Sequence, residues 1–322
     1  MLTPRARQRP ELFPAEEDDF ATAVFDGLAR PQKSLPCRFF YDTRGSELFE
    51  EITRLPEYYP TRTETAILEA NAAQMADGVP SGGILVEFGS GSSLKTEILL
   101  RELPQLGAYV CIDVSGSALD DAKRRLAARF PALEVRPIVG DFSYPVAFPV
   151  DLAGRPKTGF FPGSTIGNLT PVEAHRLLRV FGAALSPGGR LIVGVDLKKD
   201  ARQLVLAYND QAGVTAAFNL NLLARINREL GGTFDLDAFA HEAVYNPRDG
   251  RIEMYLQSRC DQEVRIHGRR FRFRAGERIH TENSYKYAIT QFQDLARSAG
   301  WEPRRVWTDQ SNLFSVHELV SP

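Results

Sequence analysis

Between residues 62 and 197 the hydrophobic positions change repeatedly from short apolar runs to stretches with apolar residues at helical spacing. Apolar runs of this length predict strands that are buried on both faces, and the stretches between them predict helices that cover a sheet. The predicted strands end near residues 88, 113, 139, 161 and 197. Strands and helices that alternate in this way are typical of an α/β fold with a parallel sheet.

The alternation stops after residue 197 and resumes near residue 288. In the interval, residues 218–230 have the spacing of a long amphipathic helix, and residues 251–256 and 264–273 have the alternation of strands. The N-terminal arm and this insertion are expected to form a second, α+β domain that contacts the substrate. The predicted division is an arm at 1–61, a nucleotide-type domain at 62–197, an insertion at 198–287 and a C-terminal completion of the nucleotide-type domain at 288–322.

The predicted strand that ends at Phe88 is followed by a glycine turn, Gly89-Ser90-Gly91, and then by a helix pattern. Glycine accepts a positive φ and lets the backbone approach a ligand, so a glycine turn at the carboxyl end of a strand predicts a nucleotide-type cofactor site. A dinucleotide fingerprint has a third glycine where this chain has Leu94. The sequence therefore favours S-adenosylmethionine, whose site needs the tight turn but no pyrophosphate cradle.

Acidic residues follow at the ends of the next two predicted strands. Asp113 ends one strand, at about the distance from the glycine turn where a ribose-binding carboxylate is expected. Asp141 and Phe142 end the other, where a carboxylate can accept a hydrogen bond from an exocyclic amine while the ring covers the base. A surface acid and a core phenylalanine are the plainer alternatives for each residue taken alone. The glycine turn and these residues follow the ends of three consecutive predicted strands, and this order favours the cofactor site.

The loop after the fourth strand, Gly163-Ser-Thr-Ile-Gly-Asn168, consists of small residues and one amide side chain. Exposed backbone N–H groups and the Asn168 amide suit a carboxylate or an amino-acid head group. The alternative is an ordinary turn in which Asn168 bonds its own backbone. Thr170-Pro-Val-Glu173 predicts a capping box that opens a helix through Leu185.

Composition excludes several classes of protein. The chain has 322 residues, 43% of them hydrophobic, and a formal net charge of −2, which argues against nucleic-acid binding. Three cysteines without metal-ligand spacing and five scattered histidines predict a protein without a metal site. No apolar run is long enough for a bilayer span and the N-terminus has no apolar signal core, so we expect a cytoplasmic protein that does not bind membranes.

Several long motifs resemble one family, the histidine Nα-methyltransferases of ergothioneine biosynthesis. The two most specific are Ile52-Thr-Arg-Leu-Pro-Glu-Tyr-Tyr-Pro-Thr-Arg-Thr-Glu64 and Gly163-Ser-Thr-Ile-Gly-Asn-Leu-Thr-Pro171. The others are Lys33-Ser-Leu-Pro36, Phe40-Tyr-Asp42, Gly213-Val-Thr-Ala-Ala-Phe-Asn219 and Phe234-Asp-Leu-Asp-Ala-Phe239. The resemblance implies a Rossmann-like class I methyltransferase sheet with an added substrate domain, and three successive methylations of the α-amine of L-histidine to give hercynine.

The resemblance also assigns roles to individual residues. The residues matched to S-adenosylmethionine contacts are Gly89, Lys95, Asp113, Asp141 and Phe142. Those matched to the amino-acid head group are Tyr58, Asn168 and Tyr208, while Glu282 and Ser284 match an imidazole clamp and Met254 lines the side-chain pocket. A carboxylate opposite one ring nitrogen and a hydroxyl opposite the other would favour imidazole, because an unpaired buried acid is costly.

The expected reaction is an in-line displacement in which the neutral amine attacks the sulfonium methyl group, so positioning matters more than covalent catalysis. Tyr58 and Asn168 are then counted with the catalytic residues, and the Tyr41 phenol is the candidate proton acceptor. We expect a monomer whose partner is its small-molecule substrate. The alternatives are a methyltransferase for another aromatic amino acid or amine, an NAD-type dehydrogenase, and a silent binding protein.

Overall fold

The computed structural model describes residues 16–89, 94–114 and 116–321. Ser90 and Gly91 of the predicted glycine turn and the first part of the predicted arm, residues 1–15, lie outside the described residues. Among the helices of the described residues, none is both long enough and apolar enough to cross a membrane.

The helices of the described residues are α1 Glu16–Leu28, α2 Thr43–Ile52, α3 Tyr59–Ala76, α4 Leu94–Arg101, α5 Gly116–Arg129, α6 Val150–Ala153, α7 Pro171–Leu185, α8 Ala201–Tyr208, α9 Val214–Leu230 and α10 Ile289–Ser298. Short 3₁₀ helices cover Cys37–Phe40, Thr165–Asn168 and Leu236–Ala238. The predicted capping box is confirmed, since the Glu173 backbone N–H donates to the Thr170 side chain at the start of α7 and the Glu173 side chain accepts from the Thr170 backbone.

The strands of the described residues are β1 Lys33–Ser34, β2 Ile84–Phe88, β3 Ala108–Asp113, β4 Val135–Val139, β5 Lys157–Phe161, β6 Arg190–Asp196, β7 Phe239–Asn246, β8 Arg251–Ser258, β9 Gln262–Ile266, β10 Arg269–Phe273, β11 Arg278–Tyr285, β12 Glu302–Thr308 and β13 Phe314–Val320. The run 264–273, predicted as one strand-like segment, is a hairpin. His267 and Gly268 form its turn with φ of 45° and 79°, and these positive values break the run into β9 and β10.

By their internal contacts the residues form two compact units. Of the described residues, the smaller unit comprises those within 1–51, 211–243 and 254–282, and the larger unit comprises those within 52–210, 244–253 and 283–322. Residues 52–61 and 198–210 thus group with the residues of the predicted nucleotide-type domain. The domain division given above stays a prediction.

The larger unit contains a seven-stranded sheet in the order β12-β13-β6-β5-β2-β3-β4. The pairs from β6 to β4 are parallel, and β13 is antiparallel to both of its neighbours. From β2 the chain first builds outward to β3 and β4, and it then returns to place β5 and β6 on the other side. Strand order therefore reverses between β2 and β5, and open α/β sheets bind ligands outside the carboxyl ends of strands at such a point. The α/β prediction is confirmed.

Apolar clusters cover both faces of this sheet. Ile84, Val86 and Phe88 belong to one cluster, and Leu85 between them belongs to the other, as the alternation of side chains along a strand requires. The strand is buried throughout, and each fully buried side chain of this size contributes about 1.5–3 kcal/mol to folding. The clusters hold the carboxyl ends of the strands in fixed positions.

The smaller unit is built around α9 and short strands. Phe218 of α9 packs against Phe40 with the ring centroids 4.5 Å apart, and Phe20 of α1 packs against Phe39 at 4.8 Å. Lys33 and Ser34 of β1 pair in parallel with Ile279 and His280 of β11. The strands β7, β8 and β11 contribute residues to both units, and β11 changes unit between Glu282 and Asn283.

His317 gives the larger unit a measurable pH dependence. It is fully buried in β13 against Phe292, and burial lowers the pKa of its imidazole from 6.5 to about 3. Between these values the unfolded chain binds a proton that the folded chain does not. The free energy of unfolding should therefore fall as the pH drops below 6.5, by about 1.4 kcal/mol per pH unit from this residue.

Urea unfolding between pH 7.5 and 4 checks this, with His317→Gln as the matched variant because an amide can keep the bond to the Ser315 hydroxyl. The wild type should lose stability more steeply than the variant over this range. Parallel pH curves for the two proteins would contradict the assignment.

Candidate functional site

Gly89 occupies the first turn position at the carboxyl end of β2. Its φ is +77°, a region that disfavours any side chain, and a Cβ built on it would lie 3.1 Å from the Phe142 ring. Its backbone N–H donates to Ile112 of β3 at 2.8 Å. The backbone thus leaves β2 in a conformation that suits glycine, with an aromatic ring directly against it.

The two predicted acids lie at the carboxyl ends of adjacent parallel strands. Asp113 is the last residue of β3, and Asp141 follows β4, with the Gly140 backbone N–H donating to the Asp113 carbonyl at 2.9 Å. The Asp141 carboxylate accepts from the Ser143 backbone N–H at 2.8 Å, which fixes its direction. Both side chains are half-buried, so one part of each remains open to a ligand.

Apolar side chains that sequence reasoning missed flank these acids. Val114 directly follows Asp113 and Val139 ends β4, and both are more than half exposed although they are large and hydrophobic. The Phe142 ring packs edge-on against Phe161, with centroids 5.6 Å apart. Exposed apolar groups beside half-buried acids suit a planar base joined to a ribose. The signal was present in the sequence, as a valine next to the end of each of these two strands.

Lys95 is paired within the larger unit. Its ammonium contacts the carboxylate of Glu64, a buried residue of α3 that sequence reasoning did not select. Glu64 also accepts from the Gly163 backbone N–H at 2.9 Å, and a Cβ on Gly194 of β6 would lie 2.0 Å from its Oε1. Glu64 therefore joins α3, α4 and the loop after β5 where the strand order reverses, and Gly194 makes room for it.

Glu87 is a second buried acid beside the glycine turn. It lies in β2 two residues before Gly89, and the Tyr109 hydroxyl donates to its carboxylate. Burial raises the pKa of Glu87 to about 7, against the opposing effects of that hydrogen bond and of the Lys95 charge. Near neutral pH this carboxyl is therefore divided between its two protonation states.

Asp196 ends β6 and is fully buried among hydrogen-bond donors. Its carboxylate accepts from the Tyr59 hydroxyl at 2.9 and 2.8 Å, from Lys199 Nζ at 2.5 Å and from Lys286 Nζ at 2.7 Å. The Asp196 backbone N–H donates to Ser164 Oγ at 2.9 Å. This cluster connects the start of α3 with the ends of β6 and β11.

Burial and the charges in this cluster shift the pKa values of its residues. Burial opposes ionisation of Asp196, yet Lys286 and Lys199 together hold the pKa of its carboxyl below the usual value. Burial lowers the pKa of Lys199 to about 8, although Asp196 favours its charged form. Burial and the Asp196 charge raise the pKa of Tyr59 well above that of an ordinary phenol. Tyr59 therefore stays a neutral donor at physiological pH.

Three of the predicted substrate residues come together in the larger unit. Tyr208 ends α8, and its hydroxyl lies 2.7 Å from Ser284 Oγ near the end of β11. The Tyr58 ring packs edge-on against Tyr208 with centroids 6.1 Å apart. Residues distant in the chain thus form one group of hydroxyls and rings.

Asn168 ends the 3₁₀ helix after β5 and is half-buried. Within the described residues no side-chain hydrogen bond joins it to Tyr58, Tyr208 or Ser284. Gly167 beside it is required, because a Cβ there would lie 2.7 Å from the Tyr285 carbonyl. The loop thus brings its backbone against the end of β11.

The remaining predicted residues, Tyr41, Met254 and Glu282, belong to the smaller unit. Met254 and Glu282 lie in the neighbouring strands β8 and β11 and are buried, and Thr281 Oγ1 donates to the Met254 carbonyl at 3.1 Å. Tyr41 is 43% exposed, with its ring against Phe49 and Phe218. The strand pairing therefore brings Met254 and Glu282 close within this unit.

Comparison with known proteins gives independent evidence about the family of this chain. The model of the family described as "Histidine-specific methyltransferase, SAM-dependent" matches residues 20–321. The chain is 43% identical to the histidine N-alpha-methyltransferase of Mycolicibacterium smegmatis over 91% of this chain and 92% of that protein, and the Mycobacterium tuberculosis protein of the same name gives the same figures. It is 31% identical to ergothioneine biosynthesis protein 1 of Neurospora crassa, over 93% of this chain and 34% of that longer protein.

These matches cover nearly all of the described chain, including both compact units. The resemblance stated from the motifs is confirmed, and the dehydrogenase alternative is set aside. The chain belongs to the family of histidine-specific, S-adenosylmethionine-dependent methyltransferases.

Proposed function

We propose that this chain methylates the α-amino group of L-histidine with S-adenosylmethionine as the methyl donor, three times in succession, to give hercynine in ergothioneine biosynthesis. The observation that carries the proposal is the 43% identity, over 91% of the chain, to a histidine N-alpha-methyltransferase. The carboxyl edge of the sheet supports it, since Gly89, two acids and exposed apolar groups lie at the ends of the neighbouring strands β2, β3 and β4.

The residues at this edge fit the cofactor. Gly89 leaves space where a Cβ would press on Phe142, Asp113 offers a carboxylate for the ribose hydroxyls, and Asp141 offers one for the adenine amine. Lys95 would meet the methionine carboxylate as a point charge, with Glu64 holding its ammonium in place. When bound, S-adenosylmethionine supplies an electrophilic methyl group on a sulfonium.

The protein's own task is then to hold a neutral amine in line with that methyl group. We propose that Tyr58, Asn168 and Tyr208 orient the head group of the amino acid, and that Ser284 and Glu282 meet the two imidazole nitrogens beside Met254. Burial of Glu282 supports this role, because a hydrogen bond from an imidazole N–H to a charged carboxylate is stronger away from water. The Tyr41 hydroxyl is proposed to accept the proton that the amine loses while it passes its own proton to solvent, since its side chain is 43% exposed.

The partner of the protein is accordingly a small molecule. We propose in addition that the protein acts as a cytoplasmic monomer without binding nucleic acid or membranes. The formal net charge of −2 supports only the part that concerns nucleic acid.

The function is tested by incubating the purified protein with S-adenosylmethionine and the twenty amino acids and analysing the products by mass spectrometry. Histidine should gain three methyl groups while the others remain unmodified. Methylation of tryptophan or tyrosine in place of histidine would overturn the substrate assignment, and the absence of any methylated amino acid would overturn the activity.

Gly89→Ala should weaken binding of S-adenosylhomocysteine by at least about tenfold, since the new methyl group meets Phe142 and φ is positive. Gly188→Ala is the matched control, because Gly188 has nearly the same φ, +76°, but nothing within 4 Å of a built Cβ. Isothermal titration calorimetry measures both affinities. Equal affinities for the two variants would contradict the placement of the cofactor at Gly89.

Glu282→Ala should raise KM for histidine by roughly 10–100-fold, because the imidazole N–H loses a charged acceptor. Activity on tryptophan should change little, so the ratio of kcat/KM for the two amino acids is the quantity to measure. The exposed Glu302 on the edge strand β12 provides the control, Glu302→Ala. An equal loss for both substrates would contradict the clamp.

Tyr41→Phe keeps the ring contacts to Phe49 and Phe218 and removes only the hydroxyl. If that hydroxyl accepts the proton, kcat should fall while the histidine Kd stays nearly unchanged. Steady-state kinetics and calorimetry on the same preparations separate the two effects. Unchanged turnover would exclude Tyr41 as the proton acceptor.

A further inference from the structure

Lys286, directly after β11, has a fully buried side chain that contacts two of the hydroxyls discussed above. Its ammonium donates to Asp196 Oδ2 at 2.7 Å, to Ser284 Oγ at 2.8 Å and to the Tyr208 hydroxyl at 2.9 Å. A lysine ammonium has three N–H donors, so each has a partner at hydrogen-bond distance. The sequence analysis did not single out this residue.

A buried ion pair is weak evidence for a purely stabilising role. Removing a charge from water is costly even when it is paired, and buried ion pairs can often be replaced by apolar side chains of similar volume without loss of stability. Asp196 already has Lys199 and the Tyr59 hydroxyl as partners. The additional consequence of Lys286 is its contact with the two hydroxyls, and this contact points to a role beyond charge balance.

The hydrogens of this group can be counted. Lys286 donates to both hydroxyl oxygens, so one lone pair of Tyr208 and one of Ser284 are occupied. The 2.7 Å bond between those oxygens uses one of their two hydroxyl protons. The other proton is not used among Lys286, Tyr208 and Ser284. Tyr208 and Ser284 together therefore donate one hydrogen bond to an acceptor outside this group. The positive charge of Lys286 beside them favours an anionic acceptor.

We propose that Lys286 is a positioning residue that holds the Tyr208 hydroxyl, bonded to Ser284, as a hydrogen-bond donor toward the carboxylate of the amino-acid substrate. The proposal rests on the function proposed above. It adds that recognition of the substrate as an α-amino acid depends on a lysine that lies behind the hydroxyls. Asp196 Oδ2 fixes the direction from which the ammonium reaches them.

Lys286→Met tests this, with L-histidine and L-histidinamide as the two probes, because the amide lacks the negative charge and is otherwise similar in shape. Calorimetry in the presence of S-adenosylhomocysteine gives the dissociation constant of each. The variant should bind L-histidine more weakly, on the order of tenfold, and L-histidinamide nearly as the wild type does.

Lys199→Met is the matched control. Lys199 is also a buried lysine bound to Asp196, but its other contacts are the Tyr59 hydroxyl and the Leu197 carbonyl, away from Tyr208 and Ser284. It should lose thermal stability as Lys286→Met does, while the ratio of the two dissociation constants stays as in the wild type. A ratio that shifts equally in both variants, or in neither, would overturn the proposal.

If Lys286→Met does not fold, Tyr208→Phe in the full chain decides the question, because it removes the proposed donor and leaves the ring. This variant should bind L-histidine more weakly but L-histidinamide as the wild type does, and equally weakened binding of the two would overturn the proposal. Failure of the proposed function can be told apart from failure of the Lys286 proposal, since the wild type would then methylate no histidine at all. A wild type that methylates histidine, with variants that keep the ratio, would overturn only the role of Lys286.

Discussion

The buried carboxylate of Asp196 is the constraint on which the candidate site in the larger unit depends. It ends β6 and accepts from Tyr59 at the start of α3, from Lys199 and from Lys286. A carboxylate without exposed surface is stable only when such donors surround it. Each donor comes from a different part of the chain, so satisfying one charge fixes the positions of several segments. Tyr58, beside Tyr59, and Tyr208, bonded to Lys286, are held in place as a consequence.

Glu64 positions a predicted cofactor residue, as Asp196 positions the residues that carry the hydroxyls. It is buried, it accepts from the Gly163 backbone and it holds the Lys95 ammonium. Both acids lie near the carboxyl ends of central strands, where the backbone has fewer neighbours and ligands bind. Two anchored acids thus lie at this edge of the sheet, with Lys95 bonded to Glu64 and Tyr208 linked to Asp196 through Lys286. Fixed positions of this kind suit a reaction whose rate depends on alignment.

Local patterns predicted much of the architecture because burial on both faces leaves a clear record in sequence. The apolar run at β2, the capping box at Thr170 and the helix α7 lie as predicted. The hairpin of β9 and β10 was missed, since alternation continues through His267 and the positive φ at that residue is not visible in the pattern. Glu64, Lys286 and Asp196 were missed for a different reason. Charged residues are ordinarily exposed, and nothing local marks these three as buried.

The sequence by itself determined the order of strands and helices, the glycine turn with its following acids, and, through long motifs, the family. These features depend on residues close together in the chain, because hydrophobic periodicity and turn chemistry act over short distances. Tertiary structure alone decided which charges face each other. Tyr208, Ser284 and Lys286 form one hydrogen-bonded group with Asp196, although α8 and β11 are far apart in the chain. Pairing of this kind depends on the three-dimensional path of the backbone and the loss of water around each charge, and neither is encoded in the spacing of residues.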